Sequence, residues 1–352
     1  MTVVLLCLVS AISVSASESR MEVHFLDVGQ GDCAILTCDG KSMIIDGGNA
    51  DKSQLVFAYL KDHGIKEIEY LFATHPDEDH IGGLSAALNK AEVKNAFCSV
   101  TEHDSDSFRN LNKYLKKQGK KLKIPNVGDT YKLGSAKITV LNVGKNGEGN
   151  NDSLVLKVEH GKNSFLFMGD AEAETEEKLL GSQKKLIDCD VLKVGHHGSR
   201  DASTEDFIRA ASPEFAVISV GENTYGHPTD EVLKRLEDSG AEIHRTDYNG
   251  HIIFTSDGKT LKAADSKKDD WKLTAAGASA SAATGAVSGQ AADTEKTDSE
   301  ITYILNSNSG KFHYPNCKSV KKMNESNKIY WYGSRDELIE KYNCVPCKNC
   351  NP

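Results

Sequence analysis

The sequence lacks both a membrane-length apolar segment and an excess of positive charge. Its most apolar run, residues 3–14, is too short to span a bilayer as a helix. No other stretch approaches membrane length, so we expect a soluble mature protein. The formal net charge of −9 excludes binding of nucleic acid by bulk electrostatics over the whole surface, but it leaves room for a local basic groove.

The apolar run ends at Val14, and Val14-Ser15-Ala16 is a plausible small-residue cleavage site. An apolar core of this length before a small-residue cleavage site is typical of a secretory signal peptide. We therefore expect residues 1–16 to be removed and the protein to be secreted, with an extracellular location. No Lys or Arg precedes the run, and a buried first strand is the alternative interpretation.

Histidine and aspartate are concentrated directly after the apolar, aromatic segment 69–73, which the pattern predicts to be a buried strand. His75, Asp77, Asp79 and His80 all lie at the end of that strand. Imidazole nitrogen and carboxylate oxygen are ligands for divalent cations such as Zn or Mn. A solvated acidic turn before a helix is the alternative, and it accounts for Asp79 but not for the two histidines.

Two further groups of polar residues also follow apolar strands. Asp170 comes after Gly169 at the end of one, and the pair His196-His197, with Gly on both sides, comes at the end of another. Asp170 alone is also compatible with an N-cap of the acidic helix that follows. Two adjacent histidines between glycines are seldom core residues, so we interpret this pair as a source of metal ligands.

These segments resemble the metallo-β-lactamase fold hydrolases, whose signature is His-x-His-x-Asp-His between a strand and a helix. Here Asp77 stands where the second His of that signature would be, and Gly82-Gly83 follow. This variant is similar to the hydrolase domain of the DNA-uptake protein ComEC and its soluble relatives. The resemblance implies an α/β protein with the αββα sandwich over residues 21–262.

The resemblance also implies two divalent metal ions, Mn or Zn, that support hydrolysis. His196 is favoured over His197 as the last ligand, and Asn150, with Asn151 as a register alternative, takes the place of a third-segment His. Asp77 and Asn150 in place of His favour Mn over Zn. The implied metal ligands are His75, Asp77, Asp79, His80, Asp170 and His196, of which Asp79 is also assigned to catalysis.

Substrate contacts are implied for a second group of residues. His227, in a Gly-His-Pro loop, is a candidate to touch substrate or to donate a proton to the leaving group, or else it is a structural loop His. The other implied substrate-binding residues are Asn150, Ser153 and His197. Six lysines between residues 113 and 123 lie on a predicted helix and its end, and they form either a solvated face or a phosphate-backbone contact.

The sequence changes character at residues 263–300, where Ala, Ser, Gly and Thr predominate and predict a flexible linker. Residues 301–352 then carry His-x3-Cys and Cys-x2-Cys, the ligand spacing of small zinc modules. They resemble the zinc-binding domain of the DNA-repair protein Ada. This implies one structural Zn held by His313, Cys317, Cys347 and Cys350, with Cys344 spare. Two disulfides are the alternative.

The C-terminal module is basic although the whole chain is acidic. Residues 311–352 contain eight Lys or Arg and four acids, a net charge of +4, and aromatic residues stand at 330–332. Such a segment suits a nucleic acid or another polyanion. The sequence therefore favours a secreted metal-dependent hydrolase, a phosphodiesterase or nuclease that acts on DNA or another nucleic acid. The alternatives are a surface phosphorylcholine-type esterase or lactonase, and a non-catalytic polyanion-binding protein.

Overall fold

The structure is a computed structural model that describes residues 19–144 and 149–265 and, in the C-terminal part, 303–306, 310–314, 317–323, 328–331, 335, 338–339, 344–348 and 350. The chain divides into two compact units, residues 1–279 and 280–352. The predicted signal peptide and nearly all of the predicted linker lie outside the described residues, so these boundaries stay predictions. Within the described ranges, no helix is long and apolar enough to cross a membrane.

Two β-sheets form the centre of the first unit, which we call the hydrolase unit. Its described strands are β1 (Met21–Phe25), β2 (Ala34–Cys38), β3 (Lys41–Ile45), β4 (Glu67–Ala73), β5 (Glu92–Cys98), β6 (Leu122–Lys123), β7 (Thr130–Leu133), β8 (Ala136–Asn142), β9 (Val155–His160), β10 (Asn163–Phe167), β11 (Val191–Lys193), β12 (Phe215–Ile218), β13 (Glu242–Arg245), β14 (Ile252–Ser256) and β15 (Leu261–Asp265). One sheet has the order β15-β14-β1-β2-β3-β4-β5-β6, and the other has the order β13-β12-β11-β10-β9-β8-β7.

Helices cover the outer faces of both sheets. Those described are α1 (Ser53–Asp62), α2 (Glu78–Ile81), α3 (Leu84–Lys90), α4 (Asp106–Lys117), α5 (Ala173–Ser182), α6 (Lys184–Ile187), α7 (Glu205–Ala211), α8 (Asp230–Ser239) and α9 (Thr246–Asn249). The first sheet packs against α1, α3 and α4, and the second packs against α5, α7 and α8.

The strands are buried on both faces because each sheet lies between its partner sheet and a helical layer. In β10, Phe165 and Phe167 point into the core between the two sheets, whereas Leu166 packs toward the helices. Successive side chains of a strand point to opposite faces, so the apolar run that the sequence shows here fills both cores at once. The helix–sheet–sheet–helix order confirms the predicted αββα sandwich.

The parallel strands determine where the polar loops meet. β3 runs parallel to β4 in the first sheet, and β10, β11 and β12 run parallel in the second. The carboxyl ends of parallel strands lie at one edge of a sheet, which is where ligands bind in many α/β proteins. The polar segments that follow β4, β10 and β11 are thereby brought to one place.

The second unit, which we call the tail unit, contains a small sheet. Its described strands are β16 (Tyr303–Asn306), β17 (Lys311–His313), β18 (Lys328–Trp331) and β19 (Val345–Pro346), in the order β18-β16-β17-β19. β17 pairs parallel to β19, and the amide of Cys347 donates to the carbonyl of Phe312. This pairing brings the end of β17, with His313, beside the first Cys of the Cys-x2-Cys pair.

Candidate metal centre

Asp170 lies at the middle of the site, in the turn after β10, and is almost completely buried. Its Oδ1 is 3.2 Å from His80 Nε2 and 3.5 Å from His197 Nε2. Asp79 joins the same group, because its Oδ2 is 3.3 Å from His197 Nε2. One ligand atom from each of these four residues lies within 4.8 Å of the others, which is the arrangement of a cation site.

A second group of ligands faces the other oxygen of the same carboxylate. Asp170 Oδ2 is 3.9 Å from His75 Nε2 and 3.8 Å from His196 Nε2. Asp77 Oδ2 is 3.7 Å from His75 Nε2, and its side chain is half exposed. This side of the site is more open than the first. Asp170 therefore stands between two sets of ligands, as a carboxylate that bridges two cations would.

Unpartnered buried atoms show that these residues fit divalent cations. Among the described residues, the Nε2 atoms of His75, His80 and His197 and the Oδ1 of Asp170 are buried without a hydrogen-bond partner. Buried polar atoms without partners are costly, and native structures contain few of them. Here they surround the carboxylate of Asp170 and are of the ring-nitrogen and carboxylate types that bind Zn or Mn.

The carboxylates of the site raise the pKa of two of its histidines. Burial by itself lowers the pKa of His197, but the charge of Asp170 outweighs it and raises this pKa to about 10. The same balance raises the pKa of His80 well above its usual value, with Asp170 and Asp46 as the partners. Burial and repulsion by His80 lower the pKa of His75 to about 3. Cation binding must therefore displace protons from His80 and His197.

His80 is oriented by a buried carboxylate behind it. Its Nδ1 lies 3.0 Å from Asp46 Oδ2, and Asp46 also accepts hydrogen bonds of 2.7 Å from both the amide and the hydroxyl of Thr74. A carboxylate on Nδ1 fixes the ring tautomer and presents Nε2 as the ligand. Asp46 thus has the geometry of a residue that orients a ligand rather than acting as one.

The corresponding partner of His196 is Glu172, which was not predicted from the sequence. His196 Nδ1 donates to Glu172 Oε1 over 2.9 Å, and the Asn150 amide donates to the same oxygen over 2.8 Å. Glu172 therefore orients His196 from the rim of the site. Asn150 reaches the side of the site that carries His196, as its predicted place in the third segment requires. Its side-chain amide, however, bonds to Glu172. In the sequence, the only indication of this role was that Glu172 comes two residues after Asp170.

His196 and His197 are both placed at the centre, which corrects the prediction that chose between them. Both adopt left-handed backbone angles, with φ of 44° and 51°, which is strained for residues with a Cβ. Their rings diverge, with centroids 6.1 Å apart and planes at 68°, so each faces a different oxygen of Asp170. His197 is buried, and its Nδ1 donates to the Ser219 carbonyl. The structure places His197 with Asp79, His80 and Asp170 among the candidate ligands, and its assignment to substrate binding stays a prediction.

Ser153 also differs from its prediction as a substrate-binding residue. Its side chain has no exposed surface. The hydroxyl accepts from the amide of Asp170 over 3.1 Å and lies 3.3 Å from His75 Nδ1. A residue enclosed in this way cannot touch substrate. It holds the turn that carries Asp170.

A buried ion pair beneath the site was also missed. Lys193 Nζ lies 2.8 Å from Asp32 Oδ2, and both side chains are almost fully buried. Asp32 Oδ1 is 3.5 Å from His197 Nδ1, and the amide of Asp32 donates to the carbonyl of Asp79. The pair thus supports two of the ligands. A lysine inside the apolar segment 190–194 was its signal in the sequence.

A cavity of about 670 Å³ opens above these residues. It is lined on one side by the two ligand groups and on another by the loop between β12 and α8, which carries His227. The His227 ring is half buried, and its centroid is 5.2 Å from that of His196. Burial and the neighbouring histidines lower the pKa of His227. The structure places His227 where a substrate would enter, and its role in catalysis stays a prediction.

The tail unit has its own cluster of ligands. One atom from each of His313, Cys317, Cys347 and Cys350 lies within 4.8 Å of the others. The eight cysteines among the described residues all carry free thiols, so the arrangement is not that of the disulfide alternative. Cys344 lies outside the cluster and its thiol donates to the Leu338 carbonyl. Sulfur and imidazole ligands at this spacing suit one tetrahedral cation.

The chain belongs to the metallo-beta-lactamase superfamily, which its sequence matches over residues 26–222. Its first unit is therefore a hydrolase domain of the metal-dependent type that this superfamily defines.

Among individual relatives, the chain is 31% identical over 258 residues to ComE operon protein 3 of Bacillus subtilis, which covers 67% of this chain and 33% of that protein. It is 28% identical over 280 residues to Recombination protein 2 of Haemophilus influenzae. That match covers 76% of this chain and 33% of that protein. Competence protein ComA of Neisseria gonorrhoeae is 28% identical over 239 residues, a match that covers 67% of this chain and 32% of that protein. The chain thus spans about a third of the length of these relatives, and the resemblance to the ComEC-like hydrolases is confirmed.

A similar solved structure is that of the metallo-beta-lactamase fold protein YhfI from Bacillus subtilis. It is 13% identical, has a TM-score of 0.47, and covers 67% of this chain and all of that one.

Proposed function

We propose that the protein is a secreted metal-dependent phosphodiesterase that acts on DNA or another nucleic acid. One observation carries the proposal: Asp170 presents its two oxygens to two sets of ligands beneath an open cavity. Paired cation sites of this kind are typical of enzymes that cleave phosphate esters.

Two divalent cations held there would supply Lewis acidity, which activates water and offsets negative charge on phosphoryl oxygens. The side chains of the protein orient the ligands and contact the substrate. Asp46 and Glu172 fix the rings of His80 and His196, so the geometry is set before substrate arrives. His227, which lines the cavity, would hydrogen bond to the leaving oxygen of a bound ester.

The names of the relatives support nucleic acid as the substrate class, since they refer to competence and recombination. The charge of the tail supports it independently, because residues 311–352 carry a net +4 in a chain of −9. A basic module joined by a linker raises the local concentration of a polyanionic substrate near the hydrolase unit. Zn is the ion that best suits the His/Cys3 cluster of the tail, and Mn is the one that best suits the Asp-rich site.

The activity test uses the purified full-length chain, loaded with Mn or Zn, and end-labelled single-stranded and duplex DNA. We expect metal-dependent cleavage that Asp79→Ala removes and that the exposed-residue control Asp104→Ala leaves intact. Parallel reactions with a phosphorylcholine ester and with a lactone test the other hydrolase classes. Turnover of either of these, with none of DNA, contradicts the proposal.

Secretion is tested separately on the native host protein. The apolar run and the small residues at 14–16 support cleavage after Ala16. N-terminal sequencing of protein recovered from the medium should begin at Ser17. An intact Met1 on that protein contradicts the proposed export.

A further inference from the structure

The loop between β12 and α8 presents an aromatic ring at the mouth of the cavity. Tyr225 is 73% exposed and nevertheless lines the cavity. A single exposed aromatic residue is ordinary on a protein surface. This one is notable because of how its loop is held and because of what lies beside it.

Hydrogen bonds within the loop hold its backbone in one conformation. The Asn223 side chain accepts hydrogen bonds from the amides of Tyr225, Gly226 and His227, and it donates to the carbonyls of Gly221 and His227. At the start of the loop, Gly221 lies so close to the backbone of residues 29–30 that a Cβ would come within 2.5 Å of it. A ring on such a loop keeps its position at little entropic cost when a ligand binds.

A line of rings leads from Tyr225 to the metal ligands. The centroids of Tyr225 and His227 are 5.8 Å apart with planes at 30°, and those of His227 and His196 are 5.2 Å apart. A phosphate ester bound at His196 would therefore carry its neighbouring group past His227 toward the exposed tyrosine.

The charge of the cavity indicates what that group is. Among the described residues that line it, five are acidic (Asp77, Glu78, Asp79, Asp170 and Glu222) and none is Lys or Arg. Apart from the cations, no lysine or arginine among these described residues offers a positive charge to a second phosphate. The neutral polar residues that line it include Gln30, Asn49 and Asn150. The acidic lining therefore favours an uncharged group next to the reacting phosphate, and the exposed ring of Tyr225 suits a flat one.

We propose that Tyr225 is the stacking platform for the nucleobase that flanks the scissile phosphate, an inference that rests on the proposed function. Every base has a face that can stack on an aromatic side chain, so such a platform binds nucleic acid without reading sequence. A base inside a duplex is already stacked between its neighbours. The platform therefore selects single strands and unpaired ends.

The test is a scan of single-stranded oligonucleotides in which one nucleotide at a time is replaced by an abasic tetrahydrofuran residue. At one position beside the cleaved bond, loss of the base should lower kcat/KM of the full-length enzyme by about tenfold, mainly through KM, because one stacked base gives an effect of that size. Tyr225→Ala should abolish this positional effect, and Tyr225→Phe should keep it. Tyr248→Ala is the matched control, since Tyr248 is 74% exposed and does not line the cavity.

Two outcomes overturn the inference, and they are distinguishable. If oligonucleotides are cleaved but no abasic position matters, or if Tyr225→Ala keeps the positional effect, the platform is wrong and the phosphodiesterase stands. If no oligonucleotide is cleaved with any metal, both proposals fail.

Discussion

The hydrolase unit and the tail unit hold their candidate metal ligands in different ways. In the hydrolase unit, three apolar cores lie between and outside the two sheets, and the candidate ligands stand at their edge, on loops and on the short helix α2. In the described part of the tail unit, one of the two small apolar clusters consists of Ile304, Cys317, Val320 and Cys347, so half of its members are ligands. From this comparison we predict that the hydrolase unit folds without metal and uses it for chemistry, whereas the tail unit needs metal to fold.

The largest effect is expected from the tail cysteines. Cys347→Ala removes a ligand from a unit too small to fold on its apolar core, so we expect it to lose both the bound cation and its protection from protease. Metal content and limited proteolysis of the full chain measure these losses. Cys344→Ala is the matched control, because Cys344 is buried but is not one of the four candidate metal ligands of the tail unit. Equal damage from the two substitutions contradicts the distinction between the units.

The second effect concerns the hydrolase unit. Asp79→Ala should lower turnover by more than the roughly 10–100-fold that loss of an outer-shell partner costs. The unfolding transition of this unit should stay cooperative, because Asp79 lies outside its apolar cores. Phosphodiester turnover and thermal unfolding check the two parts. An unaltered rate would contradict the assignment of Asp79 to the site. Loss of the fold would contradict the predicted difference between the two units.

The buried pair of Asp32 and Lys193 should give a smaller effect on chemistry. Lys193→Met leaves Asp32 buried without its partner, so we expect about 3 kcal/mol of lost stability and a 10–100-fold weaker metal affinity. The double variant with Asp32→Asn should recover part of the stability, since no unpaired charge remains. Urea unfolding and metal titration of all three variants form a double-mutant cycle. Additive effects would show that the pair does not act as a unit.

Acid should weaken the hydrolase unit through His251. Burial lowers its pKa to about 4, with the Asp27 carboxyl opposing this shift and with His24 and His63 adding to it. Since the folded pKa lies below the usual 6.5, the unfolded chain takes up the proton first. The stability contribution is complete above pH 6.5 and is lost as pH falls toward 4, by up to about 3 kcal/mol.

His251→Asn should reduce this loss, because an Asn oxygen can accept from the Asp27 amide as His251 Nδ1 does. Urea unfolding at pH 7 and at pH 4.5 measures the difference. The exposed His103→Asn is the control. If His251→Asn loses as much stability on acidification as the unaltered protein, another group governs the acid response.

Removal of residues 301–352 should have the smallest effect on the active site itself. We expect turnover of a small chromogenic phosphodiester to stay within about twofold. Turnover of long DNA should fall severalfold and become less dependent on salt, because the phosphate contacts of the +4 segment are lost. A truncated enzyme that cleaves long DNA as well as the full chain at every salt concentration contradicts the proposed role of the tail.

The sequence predicted those parts of the structure that depend on local pattern. The apolar strand before residue 74, with His75 and His80 directly after it, indicated a strand-end site without any knowledge of tertiary contacts. The spacing of His313, Cys317, Cys347 and Cys350 likewise selected four residues that the structure brings together. In both cases the ligands lie close together in the chain or occur in pairs of fixed spacing.

The parts that the sequence did not predict depend on contacts between distant segments. Asp32 and Lys193 are paired only because both sheets place them beneath the same ligands. The division of His196 and His197 between the two oxygens of Asp170 follows from left-handed backbone angles that no local pattern signals. Ser153 was assigned to substrate because its segment resembles a ligand-bearing one, and only its burial shows that it faces the protein interior.

Hydrogen exchange of the full-length protein, with its metals and then with an excess of chelator, tests the contrast between the two units most directly. We predict that chelation brings the amides of β16 and β17 to the exchange rates of an unfolded chain, while those of β4, β10 and β11 stay protected. Phosphodiester turnover should be lost in the same sample. Persistent protection of β16 and β17 under chelation, or a parallel loss of protection in β4 and β10, would contradict the account.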